Sequence, residues 1–538
     1  MSSRLLVPGV CLALLTACPS SPYTPPPHFE RLAAYRAGAT ASLRYAALHF
    51  NAIYGYRPLR LGGLQPVRPA LGVPALVKRG TDLEVSYLTR ATQLRAPHLA
   101  RGLSLRLARA GKPCLGESCY RLGPTRLVSR TRLPGGVVHL RVRARVPDNA
   151  APGFYDLIHQ LTLSVQIHRV RSAVRVFRRA VDDSRPFTFV HLTDTHQGDE
   201  RNERLRLVVK WLNRLRPRPD FVVMTGDVVE FGPDENHWAL AIQELINLRI
   251  PLYVVPGNHD YYRPGYRKVR PPKGVTVEEL GLRNYMRHLH PYLAYRFRFA
   301  GYRFLAVDTG AGATLRSLWK GRWITTRGLS AGHLKDIRRF LRTPAGVGHV
   351  LFGHAPSRTR LTMKSNGCDP GRHATFLAGR DAFEAALTHA WRRRNRPLVY
   401  LSGHTHWSDV FGRGDSRGAT RIGGKPCRFR ALPWRHRHMG SLPCWRRLPP
   451  SRFPLLITTQ SATKHNKLRS GGLLQRGMRL GDGAGAGFGF RVLHVRETRW
   501  LSAAYRFYHR TSVMARRHEA GFIPPKAAAL LSLPACSR

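Results

Sequence analysis

Between residues 187 and 255 the apolar positions fall into blocks of two kinds. Residues 187–192, 221–225 and 252–255 are short, almost unbroken apolar runs, the pattern of strands covered on both faces. The blocks between them repeat at helical spacing. Leu205, Val208, Val209, Leu212 and Leu215 share one face of 203–215, and Trp238, Ala241, Ile242, Leu245 and Ile246 share one face of 236–248. A strand–helix–strand–helix–strand order predicts a parallel sheet with right-handed crossovers. Further strands are predicted at 349–352 and 397–401, with a helix over 381–392 between them. Residues 455–459 and 488–495 read as strands that finish the sheet. Residues 412–452, rich in Gly, Pro and Arg, break the rhythm and read as an inserted loop.

Upstream, from about 64 to 181, the period drops to two. Residues 83–88 and 137–142 alternate apolar with polar, as does the stretch around 161–165, and turn signals at 78–82 and 134–136 separate such runs. Short strands at this spacing predict an all-β sandwich over 61–182. Residues 146–157 resemble the turn-then-strand segment late in immunoglobulin-like modules. No catalytic role is expected of this domain, nor of a peripheral tail over 514–538.

The first residues carry a different message. Arg4 is followed by a short apolar stretch over 5–17 that ends in Leu15-Thr16-Ala17-Cys18. A run this short reads as a signal peptide, residues 1–17, rather than a bilayer span. The small residues before Cys18 resemble a bacterial lipobox, which implies lipidation of Cys18 and an exported protein held on a membrane facing the periplasm or cell exterior. A Pro- and Ser-rich tether over 19–27 and a linker up to residue 60 would follow. Export implies an oxidising compartment. Of eight Cys, six remain after Cys11 and Cys18 are set aside, and Cys114 and Cys119, bracketing a short Gly-containing loop, are the expected local disulfide. No C-x-x-C pair occurs, which argues against zinc-ribbon and thioredoxin-type sites.

Composition changes the picture in one respect. At 538 residues and 43% hydrophobic the chain is long enough for several domains and a large core, but 88 Lys+Arg stand against 31 Asp+Glu, a formal net charge of +57. The excess is spread along the chain, Arg392–Arg394 being the longest pure run, and no aromatic-interleaved nucleic-acid motif accompanies it. Solvated surface Arg explains the excess better than a specific anionic partner does, although non-specific polyanion adhesion follows either way. No specific protein partner is expected.

The candidate chemistry sits just past the predicted strands. Asp194-Thr195-His196, Gly226-Asp227, Gly257-Asn258-His259-Asp260, Gly353-His354 and Gly403-His404-Thr405-His406 each follow a strand end. Strand C-termini of an α/β sheet share one rim, so these five tips are expected to converge there. Carboxylate, imidazole and carboxamide suit borderline divalent metals such as Mn, Fe, Zn or Ni. Taken singly, Asp227 could be a helix N-cap and Asn258 a turn residue; five ordered motifs beside five strands make a shared site the stronger reading.

In order and spacing these motifs resemble the calcineurin-like metallophosphoesterase family over residues 186–495. The resemblance implies an α/β fold: a two-sheet β-sandwich core flanked by helices over 183–513, here preceded by the all-β domain. It further implies that Asp194, His196 and His406 hold one metal, that Asn258, His354 and His404 hold a second, and that Asp227 bridges them. A metal-bridging hydroxide would attack phosphorus in line, His259 would protonate the leaving oxygen, and Asp260 would orient its ring. Purple acid phosphatases place a Tyr three positions after the bridging Asp; here that residue is Glu230. Arg358 and Arg360 could bind a substrate phosphate, but two further surface Arg is the better reading. The expected function is hydrolysis of phosphomonoesters or phosphodiesters. A polyanion-binding envelope lipoprotein with vestigial hydrolysis, or a nuclease, stay open as alternatives.

Overall fold

The computed structural model describes residues 38–55, 63–90, 102–161, 167–198, 202–262, 269–310, 314–316, 323–325, 328–358, 379–394, 396–406, 409–411, 438–441, 446–448, 454–459, 461–463 and 487–509. The signal segment, Cys18, the 19–27 tether, Arg360 and the 514–538 tail lie outside them. Among the described residues no helix is long and apolar enough to cross a membrane.

The fold is mixed α/β, and the strands predicted to share one rim divide between two sheets. Phe187–Leu192, Phe221–Thr225 and Leu252–Val255 are parallel neighbours in the first. Gly487–Arg496 and Arg499–His509 extend it in antiparallel fashion. Tyr302–Ala306, Gly348–Phe352, Leu398–Ser402 and Leu455–Thr458 form the parallel centre of the second, edged by Arg296–Phe299 and Asp409–Phe411. The two strands expected to finish a single sheet therefore belong to different ones, and neither lies at an edge. The separation follows from period two: Phe304 and Val350 enter the cluster shared with Phe189, Val222 and Val254 of the first sheet. Their neighbours Leu305 and Leu351 turn the other way, onto Ile337 and Phe340 of helix Ala331–Arg342 and Phe383 and Leu387 of helix Arg380–Arg394. Aromatic rings fill the space between the sheets, Phe221 lying 5.2 Å from Phe189 and 5.5 Å from Phe304 by ring centroids.

Helices Asn202–Arg214 and Glu235–Leu245 cross between the first-sheet strands as the spacing predicts, the second capped by the Asp234 side chain. The described strands between residues 63 and 177 form a four-stranded antiparallel sheet and a five-stranded sheet, and apolar side chains from both meet in one buried cluster that includes Val85, Tyr87, Leu107, Val142, Leu157 and Val174. Cys114 and Cys119 are joined in a disulfide with 4.7 Å between Cα atoms.

Two sequence expectations need correction. Part of the supposed linker is helical: Ala39–Leu48 and Phe50–Tyr54 bury Tyr45, Ala46, Phe50, Ile53 and Tyr54 in the large core cluster. Arg287 caps their carbonyls, donating to Ala52 and Ile53 at 2.6 Å. The supposed inserted loop contains strands His438–Ser441 and Arg446–Leu448, both paired with Arg499–His509. Their partner lies far along the chain, so local pattern gives no sign of the pairing.

Candidate metal centre

Each motif occupies the first turn after its strand, and the backbone there is unusual. Eight described non-glycine residues have positive φ, and five of them are Asp194, His196, Asp227, His404 and His406. Left-handed backbone costs an L-residue about 1–2 kcal/mol, so its concentration here marks positions held against local preference. The glycines are needed for close approach. Gly226 has φ +79°, and a Cβ there would strike the Gly257 backbone; a Cβ on Gly403 would strike Thr193 Oγ1 and the Asp194 carboxylate.

The side chains converge from both sheets. Asp194, His196 and His406 offer ligand atoms within 4.8 Å of one another, and so do Asp227, His354 and His404. A third such group of His196, Asp227 and His259 links the two. Asp194 Oδ1 lies 3.3 Å from His406 Nε2 and 3.6 Å from His196 Nε2. Asp227 Oδ2 lies 3.2 Å from His354 Nε2 and 3.6 Å from His196 Nε2, touching both sets. Asn258 Oδ1 is 3.0 Å from His354 Nε2.

Hydrogen bonds set which atoms face inward. His354 Nδ1 donates to the Thr225 carbonyl at 2.7 Å, so a neutral ring presents a lone pair at Nε2. That lone pair meets Asn258 Oδ1 and Asp227 Oδ2, all acceptors. Similarly, Glu230 Oε2 lies 2.9 Å from His196 Nδ1, while His196 Nε2 faces His406 Nε2 at 3.0 Å. The other carboxylate oxygens are occupied: Asp194 Oδ2 accepts from Thr193 Oγ1 at 2.7 Å and from His404 N–H at 2.9 Å, and Asp227 Oδ1 accepts from His259 N–H at 2.8 Å. Asp194 Oδ1 and Asp227 Oδ2 are buried and receive no hydrogen bond among the described residues. Burial alone would raise both carboxyls, but the imidazoles of His406, His196 and His354 around Asp194, and of His354, His259 and His196 around Asp227, hold them well below the usual carboxylate range. Buried anionic oxygens ringed by nitrogen lone pairs fit a divalent cation.

One expected role changes. The Asp260 carboxylate accepts from the backbone N–H of Gly257 at 2.8 Å and of Val229 at 3.1 Å, and holds those two loops together. Burial and the neighbouring Asp227 charge push it up to about 7. The His259 ring is oriented instead by the Glu230 carbonyl, which accepts from Nδ1 at 2.8 Å. Glu230, noted in the sequence only as a departure, thus reaches both His196 and His259. Ser461 and Thr463 donate to the carbonyls of Asp194 (2.7 Å) and Thr195 (2.6 Å) and support the first motif from below; their position just past a strand end was the available signal. Arg358 is engaged by Glu384 at 2.9 and 3.0 Å, in keeping with a surface role.

The family model described as calcineurin-like phosphoesterase matches residues 187–408, the span that contributes every side chain of this cluster. Residues 187–408 are a calcineurin-like phosphoesterase domain. The chain is 40% identical over 79 residues to a glycerophosphodiester phosphodiesterase of Enterobacter lignolyticus, covering 13% of this chain and 28% of that protein. It is 34% identical over 90 residues to a 3',5'-cyclic-nucleotide phosphodiesterase of Nostoc, covering 15% and 33%. The chain thus spans a third or less of the length of these curated relatives. A purple acid phosphatase from yellow lupin seeds aligns over 83% of this chain and 72% of its own, at 11% identity and a TM-score of 0.41.

Proposed function

We propose that the calcineurin-like domain hydrolyses phosphoesters, phosphodiesters in preference to monoesters, with two divalent cations. The observation that carries this reading is the pair of buried, undonated carboxylate oxygens on Asp194 and Asp227, each facing imidazole nitrogens. Asp194, His196 and His406 would hold one ion, Asn258, His354 and His404 the other, and Asp227 would join the two sets. Mn, Fe, Zn or Ni suits these donors, and such ions, when bound, polarise a phosphoryl oxygen and lower the pKa of bound water toward about 7. The protein's own part is to fix the donors and to supply a proton. His259, whose Nδ1 donates to the Glu230 carbonyl, would hand a proton from Nε2 to the departing oxygen. The phosphodiesterase names of the two relatives support the diester preference.

The test uses chelator-stripped protein reloaded with Mn, Fe, Zn or Ni and assayed on bis(p-nitrophenyl) phosphate and p-nitrophenyl phosphate. At least one metal should restore turnover, faster on the diester. Asp227→Ala should lower kcat at least about a hundredfold, the scale of losing one electrostatic stabiliser of a transition state. Inactivity with every metal, or an unaffected Asp227→Ala enzyme, overturns the reading.

We further propose that the chain is exported and lipid-anchored through Cys18, on the apolar 5–17 stretch and the Leu-Thr-Ala-Cys order. Cys18→Ser protein should leave the membrane fraction in high salt, which screens electrostatic adhesion, while the parent stays. Equal retention of both contradicts the anchor.

A further inference from the structure

Far from the metal centre, six cationic side chains, Arg109, Lys112, Arg175, Arg216, Arg218 and Arg249, line one cleft of 790 Å³ where the N-terminal sheets meet the calcineurin-like domain. Glu117 is the one carboxylate in its described lining, and Asp220 lies behind Arg175 at 3.8 Å. Like charges gathered this closely repel unless an anion joins them.

The guanidinium groups are held in place. Arg175 and Arg218 lie over the Phe154 ring at 3.9 and 4.1 Å from its centroid, and Arg109 lies over Tyr155 at 5.1 Å. Arg218 donates to the Arg249 carbonyl at 2.6 Å, Arg109 to the Pro152 carbonyl at 3.2 Å and Arg216 to the Leu215 carbonyl at 2.9 Å. The buried Nε atoms of Arg175 and Arg218 meet no acceptor among the described residues, so donors outnumber what the protein supplies. The disulfide between Cys114 and Cys119 closes the loop that carries Glu117 and Ser118 on the rim. Burial, reinforced by Arg175, Arg216 and Arg249, lowers Arg218 to about 10, a tension that a bound anion relieves.

The cleft is not part of the metal centre. Arg218 precedes strand Phe221–Thr225 and Asp227 follows it, and five residues of strand put about 17 Å between those ends. Its chemistry also selects among anions. Guanidinium forks match phosphoryl oxygens, and six cations against one lining acid call for more charge than a single phosphate brings. Guanidinium groups occupy the two aromatic rings, which disfavours a stacked nucleobase or single-stranded nucleic acid.

We propose that this cleft binds a soluble polyphosphate-type anion, two or more linked phosphoryl groups, at a site distinct from the metal centre. The probe is inorganic tripolyphosphate, titrated calorimetrically into the chelator-treated full chain at about 150 mM salt, where long-range attraction is screened. Saturable binding is expected. Arg218→Gln should weaken it at least tenfold, and Arg216→Gln, an exposed change that spares the fold, severalfold. Asp227→Ala should leave it unchanged, and neither Arg variant should alter hydrolysis of bis(p-nitrophenyl) phosphate by the metal-loaded protein. Absence of saturable binding, or equal affinity in parent and Arg216→Gln protein, overturns the proposal. So does Arg218-dependent capture of phosphatidylglycerol vesicles without tripolyphosphate binding.

Discussion

His259 is fixed at two points, its N–H on Asp227 Oδ1 and its ring on the Glu230 carbonyl, so its position depends on the same carboxylate that joins the ligand sets. A group acting as general acid matters most when the leaving oxygen is strongly basic. His259→Asn should therefore lower kcat by about 10²–10⁴ on a diester with an alkyl leaving group and far less with p-nitrophenolate, which departs without proton assistance. An equal loss on both substrates would point to a structural defect. At this scale the convergence of Asp194, His196, Asp227, Asn258, His354, His404 and His406 was legible because a short polar tip after an apolar strand is a local pattern. The hydrogen-bond partners of those side chains were not. Asp260 follows His259 directly, yet the turn of backbone at Asn258–Tyr261 sends its carboxylate to Gly257 and Val229 while the ring turns to Glu230. Adjacency in sequence does not fix direction in a helical turn, where neighbours point about 100° apart.

Among the elements, helices Ala39–Leu48 and Phe50–Tyr54 were the least readable. They are short, follow a Pro-rich stretch, and take their stability from a groove supplied by residues far along the chain. Ile53 is fully buried there. Ile53→Ala should cost about 2–5 kcal/mol in denaturant unfolding with the metal-loaded KM unchanged. A loss below about 1 kcal/mol would show that the helices dock loosely. The strand–helix alternation from 187 to 255 was legible because both faces of those strands are buried and the helices between carry clear apolar stripes. Strands His438–Ser441 and Arg446–Leu448 lack such a stripe, and only their pairing with Arg499–His509 makes them strands.

Over the whole molecule, the two sheets implied by the family resemblance are both present, and alternation along Tyr302–Ala306 places neighbours in different cores. Burial has a cost in acid. It lowers His191 and His290 to about 3 and His349 to about 4, against an unfolded value near 6.5. Because the folded values are depressed, the associated stability is complete above pH 6.5 and drains away as pH falls toward 3–4, by about 1.4 kcal/mol per pH unit for each ring. Metal-free protein should show a denaturation midpoint that drops steadily from pH 6.5 to 5, with a shallower slope in His290→Asn; a flat profile would contradict this. The donors themselves are split, with Asp194, His196, Asp227 and Asn258 beyond the first sheet and His354, His404 and His406 beyond the second. Any ion seated among them acts as a rivet through one end of the sandwich. Starvation for that ion would therefore loosen the clasp between the two layers as well as halt the proposed hydrolysis, quickening amide exchange in the facing strands and opening the chain to proteases.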